Sequence, residues 1–285
     1  MTHALHTHDH SDHDHSHHHH AVATSELAQI GFETLGVRIA LSAPAELLPR
    51  IETVLPLGSL RRNPEEGDHQ FSVRPRPKSS YRIEDPAGSV SGSSDVRVML
   101  TILESRLRAC VALHAPAHIF VHAGVVAYGG RAIVIPGRSF SGKTTLVAEL
   151  VKAGAVYYSD EFAVLDEDGL VHPYSKPLSI RLNGSGQTDF HVSELGGVAG
   201  DAPLPIGLVV AARFEPGADW RPRQLSGGES VLAMLAHTVP AQDRPAQSLA
   251  TIKRALNGVL VLEGERGEAA GVSRELLHAV SPAAA

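Results

Sequence analysis

The chain has 285 residues, 43% hydrophobic and 20% charged, an ordinary globular composition with ample length for one large or two small domains. A net charge of −6, from 25 Lys+Arg against 31 Asp+Glu, excludes a broadly cationic nucleic-acid-coating protein, so no nucleic-acid partner is expected. There is no apolar run of about 18 residues and no apolar leader core, so neither a membrane span nor secretion is expected. The single cysteine, Cys110, excludes an intrachain disulfide and a multi-Cys zinc site. A reduced, cytoplasmic protein is the default.

Histidine is unevenly spread: 10 of the 18 lie in the first 20 residues, with Asp9, Asp12 and Asp14 among them. Residues 1–25 have too few apolar groups to form a core and are expected to be a disordered His-rich tail. Neutral imidazoles give such a tail affinity for divalent ions such as zinc or nickel. Globular composition starts at Glu26. Phe32 to Leu41 has strand character, with Val37, Ile39 and Leu41 alternating. Residues 45–55 read as a short helix after Pro44, and residues 61–68 are polar and turn-rich. Residues 70–74 and 81–84 are candidates for paired strands, and residues 87–94 for a loop. Asp95 caps a long helix whose apolar stripe is Val98, Met99, Ile102, Leu103, Leu107 and Val111. Residues 26–113 are therefore expected to form a small N-terminal α+β part, with Cys110 on the packed side of its helix.

Residues 114–285 have a different texture. Ile119 to Ala127 is a strand, Gly129–Gly130 a hairpin turn, and Ala132 to Pro136 a buried strand. A helix follows from about Lys143 to Ala153, then a strand over residues 155–159. Residues 162–165, 170–173 and 178–182 suggest a meander, and residues 183–205 an irregular, Gly-rich stretch. A strand over 206–214, helices over 228–237 and 247–256, a strand over 259–263 and a helix near 272–280 complete the chain.

Between the buried strand and the helix stands Gly137-Arg138-Ser139-Phe140-Ser141-Gly142-Lys143-Thr144, a full match to G-x-x-x-x-G-K-[ST]. Glycines let successive N–H groups curl around one phosphate, and the following helix presents its positive end to the same anion. The motif thus assigns ATP phosphate contacts to residues 137–144 and the adjoining Thr145. Lys143 reaches the β- and γ-phosphates, and the Thr144 hydroxyl suits Mg²⁺. The first acids after the helix are Asp160 and Glu161, at the end of the next strand and therefore close to the loop. They are candidates for holding Mg²⁺ beside Thr144 and for taking a proton from a hydroxyl. A second phrase, Leu225-Ser226-Gly227-Gly228-Glu229, looks like a transporter-ATPase signature but lacks the acidic strand that should follow. It is read as a capping box in which Ser226 and Glu229 open a helix.

The order Val121-His122-Ala123-Gly124-Val125, P-loop, Lys152-Ala153-Gly154, Tyr158-Ser159-Asp160-Glu161 resembles the catalytic domain of HPr kinase/phosphorylase and its relatives. The resemblance covers roughly residues 118–265 and weakens after Leu182. It implies an α/β (α+β) fold like phosphoenolpyruvate carboxykinase, with the P-loop between strands of a largely β core. It also implies phosphoryl transfer from MgATP to a hydroxyl. The chain departs from the family in having Asp-Glu where Asp-Asp is usual, in lacking an evident Arg-Gly loop after Leu182, and in its N-terminal part. Truncated relatives in peptide-modification gene clusters, lasso peptides included, phosphorylate a precursor peptide.

The resulting expectation is a serine-type kinase acting on a Ser/Thr hydroxyl of a peptide or small protein. Lys143 neutralises developing charge, Asp160 orients the hydroxyl or acts as base, and Glu161 is a second acid near the metal. His122 contacts the γ-phosphate or tunes Asp160. Lys176 and Arg181 are candidates for binding phosphate or peptide. A small-molecule kinase and a non-catalytic nucleotide-binding module stay open, as does a homo-oligomer. A metal-handling GTPase is disfavoured, because Asn-Lys-x-Asp is missing.

Overall fold

The computed structural model describes residues 27–77, 80–138, 141–181 and 187–280. The His-rich residues 1–25, Ser139, Phe140 and residues 182–186 lie outside the described residues.

β1 (Leu27–Thr34) and β2 (Val37–Pro44) form an antiparallel hairpin, not the single strand expected over 32–41. Leu35 and Gly36 adopt φ of 48° and 79°, the left-handed pair of a two-residue hairpin turn, and Leu in the first place hid that signal. The helix expected over 45–55 shortens to a 3-10 turn and α1 (Leu48–Glu52), before the β-branched Thr53–Val54 pair and Pro56. β3 (Leu60–Arg62), β4 (His69–Arg76), β5 (Ser80–Glu84) and β6 (Val90–Ser93) complete a six-stranded sheet ordered β3-β1-β2-β4-β5-β6. The expected pair at 70–74 and 81–84 is present as β4 and β5. β6 corrects the loop expected over 87–94: pairing with β5 imposes a strand that its Ser- and Gly-rich sequence does not favour.

Against this sheet packs α2 (Val96–His114). Asp95 caps it by accepting a hydrogen bond from the Arg97 N–H at 2.8 Å. Met99, Leu103, Leu107 and Val111 are fully buried in one core with Phe32, Ile39 and Phe71, whereas Val98 of the expected stripe faces solvent. Phe120, Phe162 and Tyr174 belong to the same core, so the first sheet and the rest of the chain pack as one body.

The second sheet runs β11-β10-β7-β8-β14-β16-β15, with β9 also paired to β7. Its strands are β7 (Ile119–Tyr128), β8 (Arg131–Pro136), β9 (Val156–Ser159), β10 (Phe162–Leu165), β11 (Val171–His172), β14 (Ile206–Phe214), β15 (Arg223–Gln224) and β16 (Leu260–Arg266). Parallel pairing is confined to β8–β14 and β14–β16. Both faces are covered, which explains the near-continuous apolar runs of β7 and β8. On one face α3 (Lys143–Lys152) and α6 (Ala269–Ala279) pack Leu146, Leu150 and Leu276 against Ile133, Ile135 and Leu208. On the other, α4 (Gly227–Leu235) and α5 (Pro245–Ala255) place Met234 and Ile252 against Val125, Val134 and Val209. Ser226 and Glu229 form the reciprocal capping box of α4.

The expected meander holds only for β10 and β11. β12 (Leu178–Arg181) leaves that sheet and pairs with β13 (Gln187–Phe190). β13 and a 3-10 turn at Val192–Leu195 also correct the irregular stretch expected from residue 183. The whole is a mixed α/β fold, and no helix among the described residues is long and apolar enough to cross a membrane.

Candidate active site

β7 is the strand on which the site is assembled. On one edge it pairs with β8, whose last residue, Pro136, stands opposite Ala123. On the other edge two short strands follow one another: β9 ends with Ser159 opposite Val125, and β10 starts with Phe162 opposite His122. Asp160 and Glu161 fill the break between them, and the Ala123 N–H donates to the Glu161 carbonyl at 3.0 Å. The loop that carries the G-x-x-x-x-G-K-[ST] pattern leaves β8 at the same level. Sheet register therefore brings the loop and the acid pair together across the width of one strand. Gly124 lies between them, and a Cβ there would sit 2.6 Å from Val147 Cγ2 of α3. The bare glycine lets α3 lie close on β7.

Within the described part of the P-loop, Lys143 is 7% exposed and its Nζ donates to the carbonyl oxygens of Gly137 and Arg138 at 2.8 and 2.7 Å. Burial pulls the ammonium down to about 8, although Asp160 and Glu161 both favour its charged form. Gly142 opens α3 with φ of 83°, and its carbonyl accepts from Arg266 Nη2 at 2.8 Å. Ser141 Oγ is buried without a hydrogen-bond partner among the described residues.

Asp160 is deeply buried. Its Oδ2 lies 3.5 Å from Thr144 Oγ1 and its Oδ1 lies 3.4 Å from the Tyr157 hydroxyl, which donates to the Lys176 carbonyl at 2.9 Å. Burial raises the Asp160 carboxyl, and the neighbouring Glu161 adds to this against the pull of Lys176 and Arg108. Glu161 goes the other way. Burial pushes it up, but Lys176 and Arg108 outweigh burial and hold it below the usual range. Arg108 Nε donates to Glu161 Oε2 at 2.6 Å, and Lys176 Nζ lies 3.3 Å from the same oxygen. Arg108 also donates to the Tyr174 carbonyl at 3.1 Å and stacks over the Tyr174 ring, 4.0 Å from its centroid. The two adjacent acids thus occupy different environments: Asp160 faces Thr144, and Glu161 anchors two cations.

Part of this cluster opens on one cavity of about 500 Å³, a volume suited to a small-molecule ligand. His122, Gly142, Lys143, Thr144, Thr145, Asp160, Glu161 and Lys176 all face it. Burial, then the Lys143 charge, pulls His122 below its ordinary value and favours the neutral ring. The opposite wall comes from Thr101, Glu104 and Ser105 of α2 and from Ser179, Ile180 and Asp189 of the β12–β13 pair. Arg181 closes β12.

Of the sequence-derived residues, His122, Gly142, Lys143, Thr144, Thr145, Asp160, Glu161 and Lys176 thus lie around one cavity, whereas Gly137, Arg138 and Ser141 do not line it, and Ser139 and Phe140 lie outside the described residues. The structure also adds two that sequence reasoning passed over, Arg108 and Arg266, both 2% exposed. Arg108 left a signal: with Thr101, Glu104 and Ser105 it forms a second, polar stripe on α2 at helical spacing. Arg266 left none, because its role depends on β16 ending beside Gly142.

No family model and no curated protein matches this sequence. Among solved structures the chain is similar to the HPr(Ser) kinase/phosphatase from Coxiella burnetii, at 15% identity and a TM-score of 0.33. That similarity covers 56% of this chain and 93% of that one, and marks a distant structural relationship only.

Proposed function

We propose that this chain is an ATP-dependent phosphotransferase that moves a γ-phosphoryl group to a Ser or Thr hydroxyl of a peptide or small protein. The observation that carries this reading is the convergence of Lys143, Thr144 and Asp160 on one cavity at the P-loop. The buried Ser141 Oγ, which has no hydrogen-bond partner among the described residues, and the start of α3 offer donors suited to a phosphate. The Thr144 hydroxyl and the Asp160 carboxylate are hard oxygen donors 3.5 Å apart and fit Mg²⁺. Bound there, Mg²⁺ supplies charge neutralisation on the β- and γ-phosphates.

Lys143 contributes positive charge to the same oxygens. The attacking hydroxyl enters from the α2 and β12–β13 side and is oriented by Asp160. As its oxygen bonds to the γ-phosphorus, the bond to the leaving ADP oxygen breaks and the hydroxyl proton passes to Asp160. Glu161 pairs with the buried Arg108 and keeps Lys176 at the cavity for the acceptor or the transferred group. His122 is the neutral hydrogen-bonding group on the phosphate side.

The test is label transfer from γ-labelled ATP with Mg²⁺ to Ser/Thr peptides encoded beside this gene. Lys143→Ala is expected to lose ATP binding. Asp160→Asn is expected to keep ATP within a few-fold and to lose turnover by about 10²-fold or more. ATP binding with no transfer to any peptide or small-molecule acceptor would sink the phosphotransferase reading in favour of a nucleotide-binding module.

A further inference from the structure

Away from the cavity, α2 and β4 bring three metal-ligating side chains together. Cys110 and His114 lie one turn apart on α2, and His69 is the first residue of β4. The donor atoms of His69, Cys110 and His114 all lie within 4.8 Å of one another. The two imidazole rings stack with centroids 4.2 Å apart and 30° between their planes. Cys110 also packs in the core, as expected of the inner side of its helix. A lone cysteine gave no metal-site pattern, because His69 approaches it only through the pairing of β4 with β2 and the packing of α2 on the sheet.

We propose that His69, Cys110 and His114 form a binding site for a borderline-soft divalent cation of the zinc type. One thiolate and two imidazoles suit Zn²⁺ or Co²⁺ and do not suit Mg²⁺ or Ca²⁺. Bond lengths of about 2.1 Å to nitrogen and 2.3 Å to sulfur require the donors to close by about 1 Å. His114 is exposed, so its ring is free to make that adjustment and the ion has a path from solvent. Burial, with Asp85 adding to it, pushes the Cys110 thiol up to about 12, so at neutral pH the metal-free group is a thiol. Binding exchanges that proton for the ion: Cys110–SH and M²⁺ give Cys110–S–M⁺ and H⁺. Three protein ligands leave a fourth position for water or another donor. A bound ion ties the C-terminal half of α2 to β4. Arg108 projects from that same half of the helix to Glu161.

Because Cys110 is the sole cysteine of the chain, a sulfur-to-cobalt charge-transfer band in the near ultraviolet reports this site alone. Histidines of the N-terminal tail bind Co²⁺ through nitrogen and cannot produce that band. Titration of the full-length protein with Co²⁺ is expected to give the band, with an intensity at saturation that corresponds to one thiolate-bound ion per chain and that Zn²⁺ displaces. Cys110→Ser is expected to abolish it. His69→Ala and His114→Ala are each expected to weaken the Co²⁺ affinity read from it by about tenfold or more. The His114 change is at an exposed position and leaves the fold intact, as far-ultraviolet circular dichroism verifies. Absence of the band in the wild type at saturating Co²⁺ overturns the proposal. So does a band that neither histidine substitution changes.

Discussion

Arg108 is a guanidinium almost fully removed from water, and everything around it answers that burial. Glu161 supplies the counter-charge, the Tyr174 carbonyl takes a second N–H, and the Tyr174 ring covers the cation's face. Removing one member of such a pair strands the other, and Lys176 compensates only in part. Arg108→Met is therefore expected to cost about 2–3 kcal/mol in urea unfolding. A variant as stable as the wild type would show that Lys176 alone satisfies Glu161. The acid pair and Lys143 were legible as residues, since the P-loop pattern names Lys143 and Asp160 and Glu161 are the first acids beyond the helix. Their division of labour was not legible. Sequence alone makes Asp160 and Glu161 equivalent neighbours on a strand end, whereas the strand break turns one toward Thr144 and the other toward Arg108.

At the scale of elements, the close approach of α3 to β7 rests on Gly124. Alanine there would place a methyl 2.6 Å from Val147 Cγ2, and valine is stiff at χ1. Gly124→Ala is expected to cost about 1–3 kcal/mol by overpacking and to weaken ATP binding, because α3 carries Lys143 and Thr144. Combined with Val147→Ala, the two changes are expected to cost less than the sum of the single ones, measured by a double-mutant cycle of chemical denaturation. Strict additivity would mean that the contact does not set the spacing. Most elements were readable from period and turn chemistry, including β7, β8, α3 and α4. The hairpin at Leu35–Gly36 and the short strands β6 and β13 were not. Each is held by pairing with a distant strand more than by the propensity of its own residues.

Across the whole molecule, the joint between α2 and the second sheet carries buried polar groups. Arg244 donates to the carbonyls of Leu113 and Ala115 at 3.2 and 2.7 Å, satisfying the C-terminal end of α2. His118 sits beside it, its ring edge-on to that of His172 at 5.2 Å. Burial first, then His172, pulls His118 below its ordinary value and outweighs Asp166. Its neutral form is thus favoured in the fold. The associated stability is complete above the unfolded value of about 6.5 and is lost as pH falls through the lower folded value. Thermal melts at about pH 7.5 and 5.5 are expected to show a smaller acid-induced loss for His118→Gln than for the wild type. An equal loss in both would assign the acid sensitivity to other groups.

The sequence by itself determined the strand and helix that flank the G-x-x-x-x-G-K-[ST] pattern, the identity of the acids after it, the long capped helix and the alternation of two-faced strands. Each of these is written in residues close to one another along the chain, where backbone periodicity and hydrogen-bonding chemistry act. The tertiary structure alone decided that Arg108 meets Glu161 across 53 positions and Arg266 meets Gly142 across 124, and that His69 comes to Cys110 and His114. Those meetings depend on sheet order and helix packing, which arise from burying the whole chain's apolar surface at once and leave no local pattern to read.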